Sequence, residues 1–275
     1  MIEKQNLESQ SLWGNDIIPD ISTVFRSCLG YANCPGWAFV RRSVEDHFAD
    51  LKGLQTIELG CGEGKVSLLF SLLGAKTTLV DYSPKQLNRA RYIAEKFTVQ
   101  PVIIEENLLQ LPKSFWGRYD ISMSFGTAEH FFGKNRQTIF DVHSKVLRKG
   151  GLSILWVPNR YGILFHLGVI IRRLFHRKVC LVDETPFTRR ELFRRAKVAG
   201  LTDIKIVGGE LLRNDFNNFC LNVRRLIRPP ISNKNFAYVR NAKSELLQSL
   251  IQNNAPIRPW NNYFSYPLIL IGTNI

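Results

Sequence analysis

A group of residues suited to holding a small charged ligand lies in the segment QTIELGCGEGK, residues 55–65. An acid, Glu58, stands near the end of a short apolar run, and three glycines follow at alternate positions: Gly60, Gly62 and Gly64. This order predicts a strand, a tight turn and the start of a helix. Because glycine adopts positive φ and lets a ligand approach the backbone, the turn is a candidate cradle with the helix amides behind it. On this stretch alone, an ordinary ligand-free turn of an α/β protein is the alternative.

A second acid lies at the predicted tip of the next strand. The β-rich run KTTLV ends at Asp81, which follows Glu58 by 23 positions. A carboxylate about 20 residues beyond a glycine turn is placed to accept hydrogen bonds from a ribose diol. Ser83 and Pro84 supply an N-cap and a first helical residue, which leaves Asp81 on the rim of the loop.

The elements that must position these residues alternate along the chain. The pattern predicts strands at 55–59, 77–81, 101–104, 119–124 and 152–157, with helices at 64–73, 84–97 and 134–148. A helix at 37–51 precedes them, and a helix at 188–199 and strands at 203–208 and 266–272 follow. Strands that alternate with helices predict a parallel sheet with helices on both faces, in which ligands bind outside the carboxyl ends of the strands.

The chain of 275 residues is expected to form a single α/β domain. We divide it into an N-terminal helical cap (1–53), a ligand-binding core (54–159), two insertions (160–187 and 211–262) and the C-terminal part of the sheet (188–210 and 263–275). Both insertions begin at the carboxyl end of a strand, so they are candidate lids over the ligand.

The net charge of +14 is unevenly distributed. Residues 1–159 carry 18 basic against 16 acidic side chains, whereas residues 160–262 carry 19 against 7. The basic excess therefore lies in the insertions and the elements between them.

Cysteine usage and hydropathy indicate a compartment. The five cysteines are odd in number and contain no CxxC pair, which predicts reduced thiols in a cytoplasmic protein without a metal site. The first ten residues lack the apolar core of a secretory signal. The longest uncharged apolar run, 161–171, is too short to cross a bilayer.

Five motifs in order resemble the class I S-adenosylmethionine-dependent methyltransferases, in the branch that modifies small molecules and lipids. They are ELGCGEG at 58–64, VDYS at 80–83, ENLLQLP at 106–112, YDISMSFGTAEHF at 119–131 and VLRKGGLSILWVPN at 146–159. The resemblance covers residues 54–159. It implies a Rossmann-like seven-stranded sheet, S-adenosyl-L-methionine as the cofactor and methyl transfer as the activity. A dinucleotide oxidoreductase would space its glycines as GxGxxG, and here the third glycine comes one residue early.

The resemblance also implies roles for individual residues. Glu58 would anchor the loop amides and approach the methionine amino group, and Asp81 would bind the ribose hydroxyls. Tyr82 would line the adenine slot. Asn107 stands where the family usually has an aspartate that accepts from the adenine amine, and its carbonyl oxygen can accept the same bond. The remaining expected contacts are Gly60, Cys61, Gly62, Leu108, Ser124 and Phe125.

The expected chemistry at the reactive end involves Phe125, Glu129 and His130. Phe125 could offer its π face to the sulfonium, or it could be a core aromatic; the two interpretations stay open. His130 is the first candidate for a general base, because it follows the fourth strand and titrates near neutral pH, and Glu129 is the second. The alternative is that both residues cap the turn or contact the substrate or the loop.

The basic insertions bear on the acceptor. Residues 160–178 combine an apolar stretch with arginines around its ends, which suits a lid that lies at a membrane surface and admits a lipid-like or anionic acceptor. A lid helix packed on the core is the alternative. We therefore expect a small organic or lipid-like acceptor and a peripheral membrane contact. An RNA methyltransferase and an inactive cofactor-binding adaptor are the rival hypotheses, and nucleic acid is disfavoured because SFGTAEH lacks the Asn/Asp-Pro-Pro-aromatic run of base-amine methyltransferases.

Overall fold

The computed structural model describes residues 19–162, 184–209, 238–256 and 267–275. The predicted lid insertions at 160–187 and 211–262 lie largely outside these ranges, as does most of the segment 160–178. Their predicted role as lids stays a prediction.

Seven strands of the described chain form one sheet in the order β3-β2-β1-β4-β5-β7-β6. They are β1 (Gln55–Leu59), β2 (Lys76–Asp81), β3 (Val102–Glu105), β4 (Tyr119–Phe125), β5 (Leu147–Pro158), β6 (Leu201–Gly208) and β7 (Pro267–Asn274). The chain order turns back at β1, because β2 pairs with one edge of β1 and β4 with the other. The predicted seven-stranded fold is confirmed, and it has its topological switch point beside the glycine turn.

The direction of β7 departs from the purely parallel sheet that the sequence pattern predicts. β7 lies antiparallel between β5 and β6. Because Gly208 pairs with Leu268, the connection leaves β6 and enters β7 at the same edge of the sheet. No crossover helix is then needed, and an antiparallel arrangement results.

The described helices are α1 (Ile21–Ala32), α2 (Pro35–Phe48), α3 (Ser67–Leu72), α4 (Pro84–Phe97), α5 (Asn135–Val146), α6 (Arg189–Val198) and α7 (Tyr238–Gln252). The predicted cap of α4 is confirmed: Ser83 accepts from the Gln86 N–H, and Pro84 is the first helical residue. α3 is shorter than the predicted 64–73, because Gly64 has φ +68° and cannot belong to a right-handed helix.

The helices cover both faces of the sheet and bury a core on each. One core joins residues of α1 to α4 and α7 to the side chains of Ile121, Met123 and Trp156. The other joins α5 and α6 to Ile57, Leu155 and Leu270. Successive side chains of a strand face opposite cores, so β4 presents different residue types to its two sides.

We found no helix among the described residues that is long and apolar enough to span a membrane.

Candidate functional site

The glycine turn is fastened between the carboxyl ends of β1 and β2. The N–H groups of Gly60 and Cys61 both donate to the carbonyl oxygen of Val80, at 2.8 and 2.9 Å. Gly60 and Gly62 have φ values of +74° and +51°, the region that glycine adopts most readily. The turn is therefore held by backbone bonds to the neighbouring strand.

Glu58 is buried beneath this turn with only part of its carboxylate hydrogen-bonded. It is 2% exposed, and the hydroxyl and the N–H of Ser67 donate to it. Within the described residues its Oε2 atom has no hydrogen-bond partner. Burial raises the pKa of Glu58 to about 8, and the neighbouring Asp81 charge adds to the rise. A buried carboxylate oxygen without a partner is costly unless a cationic donor reaches it.

The N–H of Ser67 is therefore bound by Glu58. The sequence predicts that amides of this helix face a ligand, but α3 begins three residues later than predicted, and its first N–H is capped from within the protein. Glu58 is placed to organise the helix start and to receive a donor from the ligand side.

Asp81 lies on the other side of the turn and binds it directly. Its Oδ2 atom accepts from the Gly62 N–H at 2.8 Å, and its Oδ1 atom accepts from the Ser83 N–H at 2.9 Å. The side chain is 7% exposed, and burial raises its pKa despite these backbone bonds. Asp81 therefore fixes the turn relative to β2, and a ribose contact at this carboxylate stays a prediction.

The two glycines of the turn differ in their surroundings. A Cβ atom on Gly60 would stand 2.3 Å from Cγ2 of Thr127, whereas a Cβ atom on Gly62 would meet no atom of the described chain within 4 Å. The backbone of Gly62 leaves space for a ligand, and the unpartnered Oε2 atom of Glu58, just before the turn, suits a cationic amino group. The acceptor oxygen of Glu58 and the open glycine backbone thus fit the methionine end of S-adenosylmethionine.

The residues expected around adenine follow β2 and β3. Tyr82 is partly exposed after Asp81, and Asn107 precedes a short 3-10 turn, Leu108–Gln110. The side-chain oxygen of Asn107 accepts from the Leu109 N–H at 3.0 Å, and Leu108 is buried. The Asn107 carbonyl thus caps the turn, and it retains a second lone pair for a ligand donor.

The end of β4 separates two residues that the sequence groups together. Phe125 is partly exposed and packs against the core on the α1 and α2 side. The Ser124 side chain is fully buried on the opposite face, where its hydroxyl lies 3.1 Å from Nε2 of His143. The Ser124 hydroxyl is thus engaged inside the protein, and a contact of Ser124 with the cofactor, through its backbone, stays a prediction.

His143 is a buried residue that ties α5 to β4. Its Nδ1 lies 3.1 Å from the Ser122 hydroxyl, which itself donates to the His143 carbonyl oxygen. That hydroxyl has one proton, so Nδ1–H donates to Ser122 and Nε2 accepts from Ser124. Burial lowers the pKa of His143 to about 3, which keeps the ring neutral. In the sequence, Ser122 and Ser124 at alternate positions of an apolar strand are the signal that could have indicated this buried network.

Glu129 and His130 lie together in a 3-10 turn, Ala128–His130, directly after β4. Glu129 is 3% exposed, and its Oε2 atom has no hydrogen-bond partner among the described residues. Burial raises its pKa to about 8; nearby Glu184 adds to the rise, and Arg136 opposes it. His130 is partly exposed on the same turn. Both predicted candidates thus lie on this turn, and the raised pKa of the buried Glu129 carboxyl is typical of functional sites.

Arg136 fastens this turn, and no motif of the sequence marks it. Its Nε donates to Glu191 at 2.9 Å, and its two terminal nitrogens donate to the carbonyl oxygens of Phe131 and Thr185 at 3.3 and 2.9 Å. The guanidinium also stacks over the Phe187 ring, 3.5 Å from its centroid. Since the Thr185 N–H donates to the Glu129 carbonyl oxygen, one buried arginine connects three segments around the turn.

The cysteines of the described chain are buried and form no disulfide: Cys28, Cys34 and Cys61. Cys61 is the predicted ligand contact in the glycine turn. Burial raises the pKa of its thiol well above the ordinary value, with the charges of Glu58 and Asp81 adding to the rise. The thiol is therefore protonated near neutral pH and contributes packing to the turn. Among the described residues, no group of three or more His, Cys, Asp or Glu could hold a metal ion.

This geometry agrees with comparisons to known proteins. Residues 57–151 match a family described as "Methyltransferase domain". Residues 57–151 therefore form a methyltransferase domain by sequence, and the seven-stranded fold agrees with the S-adenosylmethionine-dependent methyltransferases.

Two similar curated proteins show how much of the chain the sequence likeness covers. A ubiquinone biosynthesis O-methyltransferase of Xanthomonas oryzae pv. oryzae is 27% identical over 121 residues, which are 44% of this chain and 50% of that protein. One from Rickettsia bellii is 20% identical over 132 residues, 48% of this chain and 53% of that protein. The chain thus spans about half the length of the curated relatives that it matches.

Solved structures extend the likeness of the fold over most of the chain. A methyltransferase structure from Thermotoga maritima, described as a possible histamine N-methyltransferase, has a TM-score of 0.55 and 14% identity, and covers 92% of both chains. Magnesium protoporphyrin IX methyltransferase from Synechocystis PCC 6803, with bound SAH, has a TM-score of 0.51 and 14% identity, and covers 99% of this chain and 95% of that chain. At this identity they show the fold alone.

Proposed function

We propose that this chain transfers a methyl group from S-adenosylmethionine to a small organic or lipid-like acceptor. The observation that carries the proposal is the buried Oε2 atom of Glu58, which has no partner in the described part of the chain and which precedes a turn with open space at Gly62. A cationic amino group would satisfy that oxygen, and the turn leaves space for it. The similar proteins include O-methyltransferases of ubiquinone biosynthesis, which supports a small-molecule acceptor.

In this proposal, each part of the cofactor has residues to hold it. Glu58 would receive the amino group, and Gly60 and Gly62 would admit the methionine portion. Asp81 would bind the ribose, and Tyr82 and Asn107 would contact adenine. When bound, S-adenosylmethionine supplies an electrophilic methyl group. The residues of the chain have to hold the acceptor in line with that group and exclude water, which can contribute about 7–11 kcal/mol.

The proposals for the acceptor and for a membrane contact rest on the charge of the segment 160–178, most of which lies outside the described residues. Residues 160–178 carry five basic side chains around an apolar stretch. We infer that this segment lies at the surface of an anionic membrane and admits a lipid-like acceptor. Sedimentation with vesicles of anionic lipid, compared with vesicles of neutral lipid, tests this part alone.

Calorimetry with S-adenosylmethionine and with S-adenosylhomocysteine tests the cofactor. We expect binding of both by the wild type and at least a tenfold loss in the Glu58→Gln variant, because a neutral amide cannot compensate the ammonium charge. Glu95→Gln, at an exposed glutamate outside the site, is the control and should bind as the wild type does. Binding of a nicotinamide nucleotide instead would overturn the proposal.

Incubation with methyl-labelled cofactor and fractionated lysate tests the reaction. The proposal expects label in organic-soluble or small-molecule material. Label in RNA would favour an RNA methyltransferase. Cofactor binding without any labelled product would favour an inactive adaptor.

A further inference from the structure

The order of the strands gives the direction in which the cofactor would lie, if the proposed function holds. The residues expected to contact adenine, ribose and methionine follow β3, β2 and β1, which are neighbours in that order. The strand on the far side of β1 is β4, and β5 is next. The reacting methyl group would therefore face the ends of β4 and β5, and the acceptor would meet the side chains at those two ends.

Three aromatic side chains occupy this part of the sheet edge. Phe125 and Trp156 are register partners on β4 and β5, with ring centroids 6.0 Å apart and an interplanar angle of 55°. Tyr31 reaches over from α1 and meets the Trp156 ring edge-on, at 6.2 Å and 84°. Trp156 is 8% exposed, whereas Phe125 and Tyr31 are partly exposed. We call these three residues the aromatic wall.

The aromatic wall is held from behind by a close backbone contact. The N–H of Gly36, at the start of α2, donates to the carbonyl oxygen of Gly209 at 2.7 Å, directly after β6. A Cβ atom on Gly36 would lie 2.5 Å from the Trp156 ring, so only glycine permits this approach. The junction of α1 and α2 is thereby fixed against Trp156, and this places Tyr31 beside it.

A polar group faces the same strand end from the other side. Gly126 follows Phe125, is exposed and has φ +79°. The Oε1 atom of Glu129 stands 3.3 Å from the position that a Gly126 Cβ would take. The bare backbone of Gly126 therefore separates an apolar surface from a buried carboxyl group.

We propose that the acceptor has a flat apolar body that packs on the aromatic wall and a hydroxyl group that lies over Gly126, next to Glu129. Aromatic faces favour planar apolar partners through offset or edge-on packing. The glycine lets a reacting oxygen approach the strand end, and the Glu129 carboxyl group lies beside it. Tyr31, Trp156 and Phe125 thus determine acceptor specificity, and Glu129 receives the proton.

The transfer step balances with these groups alone. The acceptor oxygen forms a bond to the methyl carbon while the carbon–sulfur bond breaks, and that electron pair stays on sulfur. The hydroxyl proton passes to the Glu129 carboxylate and from there to solvent. The products are a methyl ether, the neutral thioether and one proton, and no oxidant or metal is required.

Labelled methyl transfer to 4-tert-butylcatechol, with glycerol and ethanolamine as polar acceptors, tests this inference. We expect label in the catechol only. Tyr31→Ala should raise the KM for the catechol at least fivefold while leaving the calorimetric affinity for S-adenosylmethionine within twofold. Phe125→Leu, which keeps an apolar core residue, should raise that KM in the same direction. Trp116→Leu is the matched control, because this exposed aromatic contacts Lys113 and Lys145 and precedes the amino end of β4, opposite the carboxyl ends of the strands.

The outcomes separate this inference from the proposed function. If the wild type binds the cofactor and labels lysate components but transfers nothing to the catechol, or labels the polar acceptors instead, the aromatic wall is not the acceptor site. An unchanged KM for the catechol in both Tyr31→Ala and Phe125→Leu would overturn it as well. If no cofactor binds, the proposed function itself fails.

Discussion

The hydroxyl of Thr127 donates to the carbonyl oxygen of Gly60 at 2.9 Å. This bond joins the turn after β4 to the glycine turn after β1, across the seam where the cofactor and the acceptor are proposed to meet. The Thr127 methyl group also fills the space that a side chain on Gly60 would need. The two turns are therefore positioned by one another, and a change in either is expected to move both.

Substitutions at the two glycines of the turn should separate stability from ligand binding. Gly60→Ala combines a positive φ with a 2.3 Å contact to Thr127, so we expect a loss of stability above about 2 kcal/mol. Gly62→Ala meets no atom of the described chain, so its cost should be only the conformational one, about 1–2 kcal/mol. Because its methyl group projects into the proposed cradle, it should still weaken cofactor binding by tenfold or more. Urea unfolding and calorimetry measure the two effects.

A double variant supplies the control for this contact. Thr127→Ala removes the two Thr127 atoms that would lie closest to a Cβ atom on Gly60, so it should recover part of the stability lost in Gly60→Ala. Equal losses for Gly60→Ala with and without Thr127→Ala would show that the contact is unimportant.

The fold was largely predictable from the sequence, because the signals are local. The β1 boundaries and the α4 cap follow from a run of apolar residues and from Ser83-Pro84, and both are confirmed. The short α3 was not predicted, since the positive φ of Gly64 depends on packing: a Cβ there would lie 2.8 Å from Leu79. The sequence pattern marks a glycine but does not show which conformation it takes.

The candidate site was predictable only in part, because its remaining contacts join distant segments. Glu58 and Asp81 stand at strand ends that any alternating pattern would mark. Arg136 bonds to residues 49 and 55 positions away, and nothing in its local sequence distinguishes it from a surface arginine. The orientation of Ser124 depends on His143, 19 positions later. Such contacts require the three-dimensional arrangement.

Arg136→Met should destabilise the protein by about 3–5 kcal/mol. The variant removes a buried guanidinium that donates to the carbonyl oxygens of Phe131 and Thr185, and it removes one of the two arginine partners of Glu191. Arg136→Lys keeps the charge but supplies fewer donors in a different geometry, so an intermediate loss is expected. Urea unfolding measures both. Arg118→Met, at an exposed arginine, should change stability by less than about 0.5 kcal/mol.

Stability should fall as the pH rises from about 5 to about 8. Glu58 and Glu129 have folded-state pKa values near 8, above their ordinary value, so in this window the folded state holds protons that the unfolded state has lost. The unfolded state then binds fewer protons, and the free energy of unfolding decreases with pH. Equilibrium unfolding in urea at pH 5, 6, 7 and 8 measures this slope. Glu129→Gln should reduce the slope, and Glu95→Gln should leave it unchanged.

The pH dependence of methyl transfer distinguishes the two candidate bases. If Glu129 accepts the proton, the rate at saturating acceptor should decrease as the pH falls below about 8, because the carboxyl must be ionised to act. We call this decrease the acidic limb of the pH–rate profile. Glu129→Gln should lower kcat by about 10²-fold or more and abolish this limb, whereas His130→Asn should preserve it. Arg136→Lys should displace the limb, since Arg136 lowers the pKa of Glu129 and its charge would move; a purely structural role of Arg136 would change stability without moving the limb. A limb that persists in Glu129→Gln and disappears in His130→Asn would assign the base to His130 instead.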